Sequence, residues 1–201
     1  PSTTPSTTPT PTPLACTQAD VMLVLDRSGS ISSGELAQLK TAAKDFVDSL
    51  GLTPAGVHAG QTSFSTTGSL DHILSSNTVT LKAAVDALSA GGFTNLKSGI
   101  DLATGELGGG NDRPDITSPD AQIIVTDGNP NRPLPSSTAD DVAKASADAA
   151  RAAGIEVFVV GVGADVNAAY LQTVADDAAH YYSVSDYSGL QTTLQNIDLC
   201  D

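Results

Sequence analysis

The sequence predicts an α/β fold: a doubly wound, mostly parallel central sheet with one antiparallel edge strand and helices on both faces. Three observations carry this. Short apolar runs at Val21–Leu25, Ala121–Thr126 and Ile155–Val160 read as buried strands. Segments with helical spacing lie between them, so the strands pair in parallel through right-handed crossovers. The core must also be aliphatic, because the chain has no Trp and only 4% aromatic residues against 40% hydrophobic ones.

Each element follows from local pattern. Residues 1–13, PSTTPSTTPTPTP, have nothing to bury and predict an extended linker over residues 1–15, with the folded domain at 16–201. Such composition is also typical of O-glycosylated stalks. Val21–Leu25 ends at Asp26. Ser33 then precedes Gly34–Leu50, where Leu36, Leu39, Ala43, Phe46, Val47 and Leu50 recur at helical spacing until Gly51 stops the helix. His58–Phe64 and Ser69–Leu74 are strands joined by a Thr67-Gly68 turn, a hairpin at one edge. Val79–Leu88 and Leu96–Leu107 are short helices around a Gly91-Gly92 loop. Ala121–Thr126 runs into Asp127-Gly128. Ala139–Ala153 is an alanine-rich helix ended by Gly154, and Gly161-Val162-Gly163 closes the strand Ile155–Val160. Asn167–Ala175 reads as a helix, Tyr181–Val184 as a last strand and Tyr187–Ile197 as a final helix.

In sheets of this kind ligands collect at the carboxyl ends of the strands. What stands there is rich in oxygen. Asp26-Arg27-Ser28-Gly29-Ser30 follows the first strand, Asp127-Gly128 follows Thr126, and Gly91-Gly92-Phe93-Thr94-Asn95 precedes a helix. Ser28, Ser30 and Thr94 offer hydroxyls; Asp26 and Asp127 offer carboxylates. A hard divalent cation takes about six oxygens and keeps some waters, so this set suits Mg²⁺ and tolerates Mn²⁺ or Ca²⁺. The Asp-x-Ser-x-Ser spacing lets a tight turn aim alternate side chains inward. Gly29 is expected to permit that turn through backbone angles a bulkier residue resists.

These three segments resemble the metal-ion-dependent adhesion site (MIDAS) of von Willebrand factor A domains and integrin inserted domains. That pattern is Asp-x-Ser-x-Ser, a Thr in a Gly-rich loop, and an Asp after a hydrophobic strand; Asp26, Ser28, Ser30, Thr94 and Asp127 match all of it. The resemblance spans about Asp20 to Cys200. It implies that the three hydroxyls bind the metal directly and that the two carboxylates act partly through water. It also implies a partner protein that places a Glu or Asp carboxylate on the metal. Where integrin β-subunits carry an acidic pair for a neighbouring calcium site, Ser32 and Ser33 stand, so no such site is expected. Asn129–Ser137 is short and rich in proline, which leaves no room for the small extra helix of collagen-binding integrin domains.

Other residues have two readings. Asn95 and Ser98 either cap the following helix or also fix the Thr94 loop. Arg27 is either solvated or aimed at the binding face. Cys16 and Cys200 flank the folded part and predict one disulfide tying the termini together, the alternative being two unrelated thiols. Loops at Ser65–Gly68, Gly109–Pro114, Asn129–Pro135 and Gly163–Val166 are, by position, expected to line the binding face.

Charge and motifs narrow the function. Nine Lys+Arg against 23 Asp+Glu give a net charge of −14, which repels nucleic acid. Most of those carboxylates read as a solvated surface. No apolar run is long enough for membrane insertion. An enzyme is not expected: the Gly-x-Ser-x-Gly elbow and the P-loop are missing, and His58, His72 and His180 follow no catalytic or zinc spacing. The expectation is an extracellular, divalent-cation-dependent adhesion or protein-binding module, monomeric within a larger modular protein. The alternative is a structural cell-wall or matrix domain whose metal only stabilises loops.

Overall fold

The first strand, β1 (Ala19–Asp26), is buried along its whole length, so it must lie inside a sheet covered on both faces. The computed structural model describes residues 17–116 and 118–199. The linker at 1–15 and the pair Cys16 and Cys200 lie outside the described residues. The remaining strands are β2 (Val57–Phe64), β3 (Gly68–Ser75), β4 (Ala121–Thr126), β5 (Glu156–Val162) and β6 (Tyr181–Val184). They form one six-stranded sheet in the order β3-β2-β1-β4-β5-β6. Only β3 is antiparallel, paired to β2 at the edge.

Side-chain alternation along β1 divides the core. Val21, Leu23 and Leu25 face one layer with helices α1 (Ser33–Ser49), α2 (Thr78–Ala87) and the last helix, here Leu190–Gln195. Met22 and Val24 face the other, against α3 (Leu96–Leu107), α4 (Ala139–Ala152) and α5 (Ala168–Val174). The alanines of α4 at positions 143, 147 and 150 are fully buried, and small side chains let that helix pack close to its neighbours. The last helix, α6, is the shorter piece of the expected Tyr187–Ile197 helix. Residues Tyr187–Gly189 form a 3₁₀ turn instead, because Asp186 accepts from the Ser188 N–H at 2.8 Å and tightens the entry.

Two further boundaries differ from the sequence pattern. The cap of α1 is Ser32, not Ser33. Ser32 Oγ accepts from Glu35 N at 3.3 Å and Glu35 Oε2 accepts from Ser32 N at 2.8 Å, the reciprocal capping box that Ser-x-x-Glu encodes. Strand β5 continues through Gly161 and Val162, which pair with Ser183 and Val184 of β6.

The order of strands sets the site. From β1 the chain moves outward to β2 and β3, then crosses back to β4 on the other side of β1. The connections therefore diverge between β1 and β4, and a crevice opens beyond their carboxyl ends. Asp26 ends β1 and Asp127 follows β4. At the opposite end of β1, buried Asp20 is clamped by Arg113, whose Nε donates at 2.9 Å and whose Nη1 donates to Gly56 O at 2.7 Å.

Candidate metal centre

The register brings the two acidic loops side by side. Leu25 pairs with Val125, so the next residues, Asp26 and Thr126, are neighbours across β1 and β4. Asp26 is fully buried. Its Oδ1 accepts from Ser28 N at 2.8 Å and its Oδ2 accepts from Thr126 Oγ1 at 2.6 Å. Both oxygens are thus committed to protein donors. Burial raises the Asp26 carboxyl to about 6; the bonds from Thr126 and Ser28 oppose that rise and nearby Asp127 adds to it. Asp127 is raised too, first by burial, with the Ser30 bond opposing.

The hydroxyls line up toward Asp127. Ser30 Oγ donates to Asp127 Oδ1 at 2.8 Å, and Ser28 Oγ lies 3.0 Å from Ser30 Oγ. The single Ser30 proton goes to Asp127, which leaves the Ser30 oxygen as an acceptor. Each serine oxygen then keeps a lone pair for a cation. Thr94 is buried and fixed from both sides of its backbone: Thr94 N donates to Asn131 Oδ1 at 2.9 Å, and Thr94 O accepts from Asn131 N at 2.9 Å. A Cβ placed on Gly128 would stand 3.8 Å from Thr94 Oγ1 and 3.9 Å from Ser30 Oγ. The three loops therefore converge on one point.

Close backbone approach explains the glycine inside the Ser loop. Gly29 does not adopt a left-handed conformation, contrary to the expected reason for it. Instead a Cβ there would meet Gly92 O at 2.9 Å, and Gly29 N donates to that same oxygen at 3.1 Å. The positive φ angles belong to the facing loop, at Gly91 (+152) and Gly92 (+84). Asn95 caps α3 and also donates from Nδ2 to Thr66 O at 3.1 Å, while Asn95 N donates to Ser65 O at 2.8 Å. Both readings of Asn95 hold, and Ser98 serves as the capped N–H.

Other expectations are corrected. Arg27 is half-buried and folds onto the hairpin, donating to Ser63 Oγ and Ser65 Oγ at 3.0 Å each, so it is only partly solvated. Gly109–Pro114 follows α3 away from the site and carries Arg113 to the far end of β1, so it lines no binding face. There Asp20, Asp112 and Asp120 bring carboxylate oxygens within 4.8 Å of one another. The Arg113 guanidinium serves Asp20, while burial and the charges of Asp112 and Asp20 push the Asp120 carboxyl up to about 7. His72 Nε2 pairs with Thr80 Oγ1 at 2.8 Å and His180 Nδ1 with Asp177 Oδ1 at 2.8 Å.

A cleft of about 500 Å³ opens beside Ser30, Thr94 and Asp127. Asn129, Asn131, Gly163 and Asp165 from two of the anticipated loops line it, as do Glu35 and Tyr187. Sequence pattern missed Thr126, Asn131 and Tyr187. Asn131 left a trace as part of the anticipated Asn129–Pro135 loop, and Thr126 as a hydroxyl residue directly before Asp127. An all-oxygen donor set of hydroxyls and carboxylates at this point fits a hard divalent cation.

Residues 20–196 match the family described as von Willebrand factor type A domain. Human Matrilin-1 is 30% identical over 182 residues, covering 86% of this chain and 34% of that protein. The chain thus spans about a third of the length of that curated relative. The fold resembles proximal thread matrix protein 1 (PTMP1) from the mussel byssus, with TM-score 0.77, 23% identity, and coverage of 90% of this chain and 47% of that one. A structure of the same mussel protein with a zinc-occupied MIDAS motif gives TM-score 0.73 and 20% identity, covering 90% of this chain and 46% of that one. Nearly the whole described sheet lies within the matched span, and the chain belongs to the von Willebrand factor type A domain family.

Proposed function

We propose that the domain is an extracellular adhesion or protein-binding module that depends on a divalent cation held by Asp26, Ser28, Ser30, Thr94 and Asp127. It acts as a monomer within a larger modular protein, with residues 1–15 as linker and 16–201 as the domain. Its role is binding rather than catalysis. The observation that carries this reading is the run of oxygens from Ser28 Oγ through Ser30 Oγ to Asp127 Oδ1, at 3.0 and 2.8 Å, with Thr94 beside it.

The chemistry follows from how the charges are used. Asp26 already accepts from Ser28 and Thr126, which supports a role through water and not by direct contact. Ser28, Ser30 and Thr94 contribute neutral oxygens. When bound, a divalent cation supplies an open coordination position for an anionic oxygen from outside. Held mainly by hydroxyls, it keeps most of its charge for that oxygen. Mg²⁺ suits this set, and Mn²⁺ or Ca²⁺ fit the same donors. The partner group is the carboxylate of a Glu or Asp.

A structural matrix role with a closed metal site is the second reading, favoured by the matrix protein among the structural neighbours. Calorimetry separates the two. A blocked synthetic peptide with one Glu is titrated into the domain in MgCl₂ and in EDTA. Adhesion requires binding in Mg²⁺ that vanishes in EDTA while circular dichroism stays unchanged. Binding that survives EDTA, or none in Mg²⁺, overturns the adhesion reading.

A further inference from the structure

A separate cleft of about 330 Å³ lies between the C-terminal end of α2 and strand β3. Its walls are Arg27, Asp71, Ala84, Ala87, Leu88 and Ser89. None of these lines the cleft beside Ser30, Thr94 and Asp127.

Two opposite charges border this space without meeting each other. Arg27 and Asp71 are both half-buried. Among the described residues neither makes an ion pair, with the other or with any third group. Arg27 gives Nε and Nη1 to the neutral hydroxyls of Ser63 and Ser65, and Nη2 meets no acceptor among the described residues. Asp71 Oδ2 accepts from the Gln61 amide at 3.3 Å, and Oδ1 meets no donor among the described residues. Elsewhere such charges are matched, as Asp20 is by Arg113 and Asp86 by Lys44. Charges drawn partly out of water and left unmatched are unfavourable, so an outside molecule that matches both is favoured here.

Acceptors exceed donors around Asp71. Gln61 is fully buried, and its Oε1 has no partner among the described residues. The C-terminal end of α2 adds partial negative charge, and its last turn holds no basic residue. That side of the cleft suits an ammonium group. The Arg27 side suits a carboxylate, the anion whose shape a guanidinium fits. Ala84, Ala87 and Leu88 supply apolar wall for a short carbon chain.

We propose that this cleft binds a small free amino acid, its carboxylate on Arg27 and its ammonium on Asp71. The volume of about 330 Å³ lies at the lower end of small-molecule sites, with room for one such molecule. The inference stands apart from the adhesion reading, since no group in it is a proposed metal ligand.

Backbone amide shifts of the domain, recorded by NMR, test it with three zwitterions of increasing charge separation: glycine, β-alanine and 4-aminobutyrate. EDTA is present throughout, which keeps their carboxylates from any bound metal. Butylamine and butyrate carry one charge each and serve as controls. At least one zwitterion should shift the amides of Asp71, Ala87 and Ser89 with a Kd of about 1 mM or tighter. Each control lacks one charged contact and should bind about tenfold more weakly or worse. Asp71→Asn keeps an oxygen for the Gln61 amide and removes the charge. Ala87→Leu fills the cleft from an exposed helical position that tolerates leucine. Each variant should lose the shifts while its circular dichroism matches that of the parent. The proposal is overturned if no zwitterion shifts these amides, if butylamine binds as tightly as the best zwitterion, or if Asp71→Asn binds undiminished.

Discussion

Thr126 Oγ1 donates to Asp26 Oδ2 at 2.6 Å, joining the ends of β1 and β4 beneath the proposed metal site. A hydrogen bond to a buried charged group contributes about 1.5–3 kcal/mol. Thr126→Val keeps the shape and removes the donor. The variant should lose about 2 kcal/mol in denaturant titrations at pH 7.5, and its Mg²⁺ affinity should fall. A loss within error of zero would show that Asp26 finds its donor elsewhere.

Metal binding itself should depend on residues from loops far apart in the chain. Asp127→Ala and Thr94→Ala are each expected to abolish Mg²⁺ binding by calorimetry while the fold persists in EDTA. In the unaltered protein, Mg²⁺ at about 100 times its Kd should add about 2.7 kcal/mol of stability, and the variants should gain none. Unchanged Mg²⁺ affinity in either variant removes that residue from the ligand set.

Gly29→Ala places a Cβ 2.9 Å from Gly92 O, a backbone atom. The Gly91-Gly92 loop must then move, and it carries Thr94. Crowding of this kind typically costs about 1–3 kcal/mol. The variant should bind Mg²⁺ at least tenfold more weakly and melt lower. Affinity equal to that of the parent would mean that the loop yields without disturbing Thr94.

Proton binding at Asp26 gives a pH dependence whose sign is set by burial. The folded carboxyl titrates near 6 against an ordinary 3.8, so the folded state holds the proton more tightly than the unfolded one. The resulting stability is present in full below about 3.8 and is lost as pH rises through about 6. The loss above that window is on the order of 2–3 kcal/mol for this fully buried group. In EDTA, denaturation midpoints should therefore rise between pH 8 and pH 5. Mg²⁺ affinity should fall over the same interval, because protons compete for the carboxylates. A midpoint that drops from pH 8 to pH 5 in EDTA contradicts the assignment.

Much of the fold was legible because it is written locally. Ala121–Thr126 and Tyr181–Val184 are continuous apolar or β-favouring runs, and their bounds agree with β4 and β6. The residues brought to the carboxyl ends of β1 and β4 were legible as well, since each follows its strand directly. What escaped was set by partners distant in sequence. Arg27 meets Ser63 and Ser65 across the β1–β2 pair, and nothing next to Arg27 announces them. Gly29 answers to Gly92 and not to its own backbone angles. Gly109–Pro114 looked like the other loops, but the direction of α3 carries it to the opposite end. Tyr187 read as the first residue of a helix, and only the packed fold puts it on the wall of the cleft.

Strand β1 is acidic at both ends, and the two ends are treated differently. Asp20 meets Arg113 from the chain itself; Asp26 has only neutral donors. One pole carries a cation of its own beside Asp20, and the other, in the proposed reading, borrows its counter-charge from the surrounding fluid. If the proposed site holds, the domain can turn non-sticky in a calcium- and magnesium-poor medium and recover when minerals return, with no molecule made or destroyed. Its grip would then be governed by the water around it as much as by the partner in front of it.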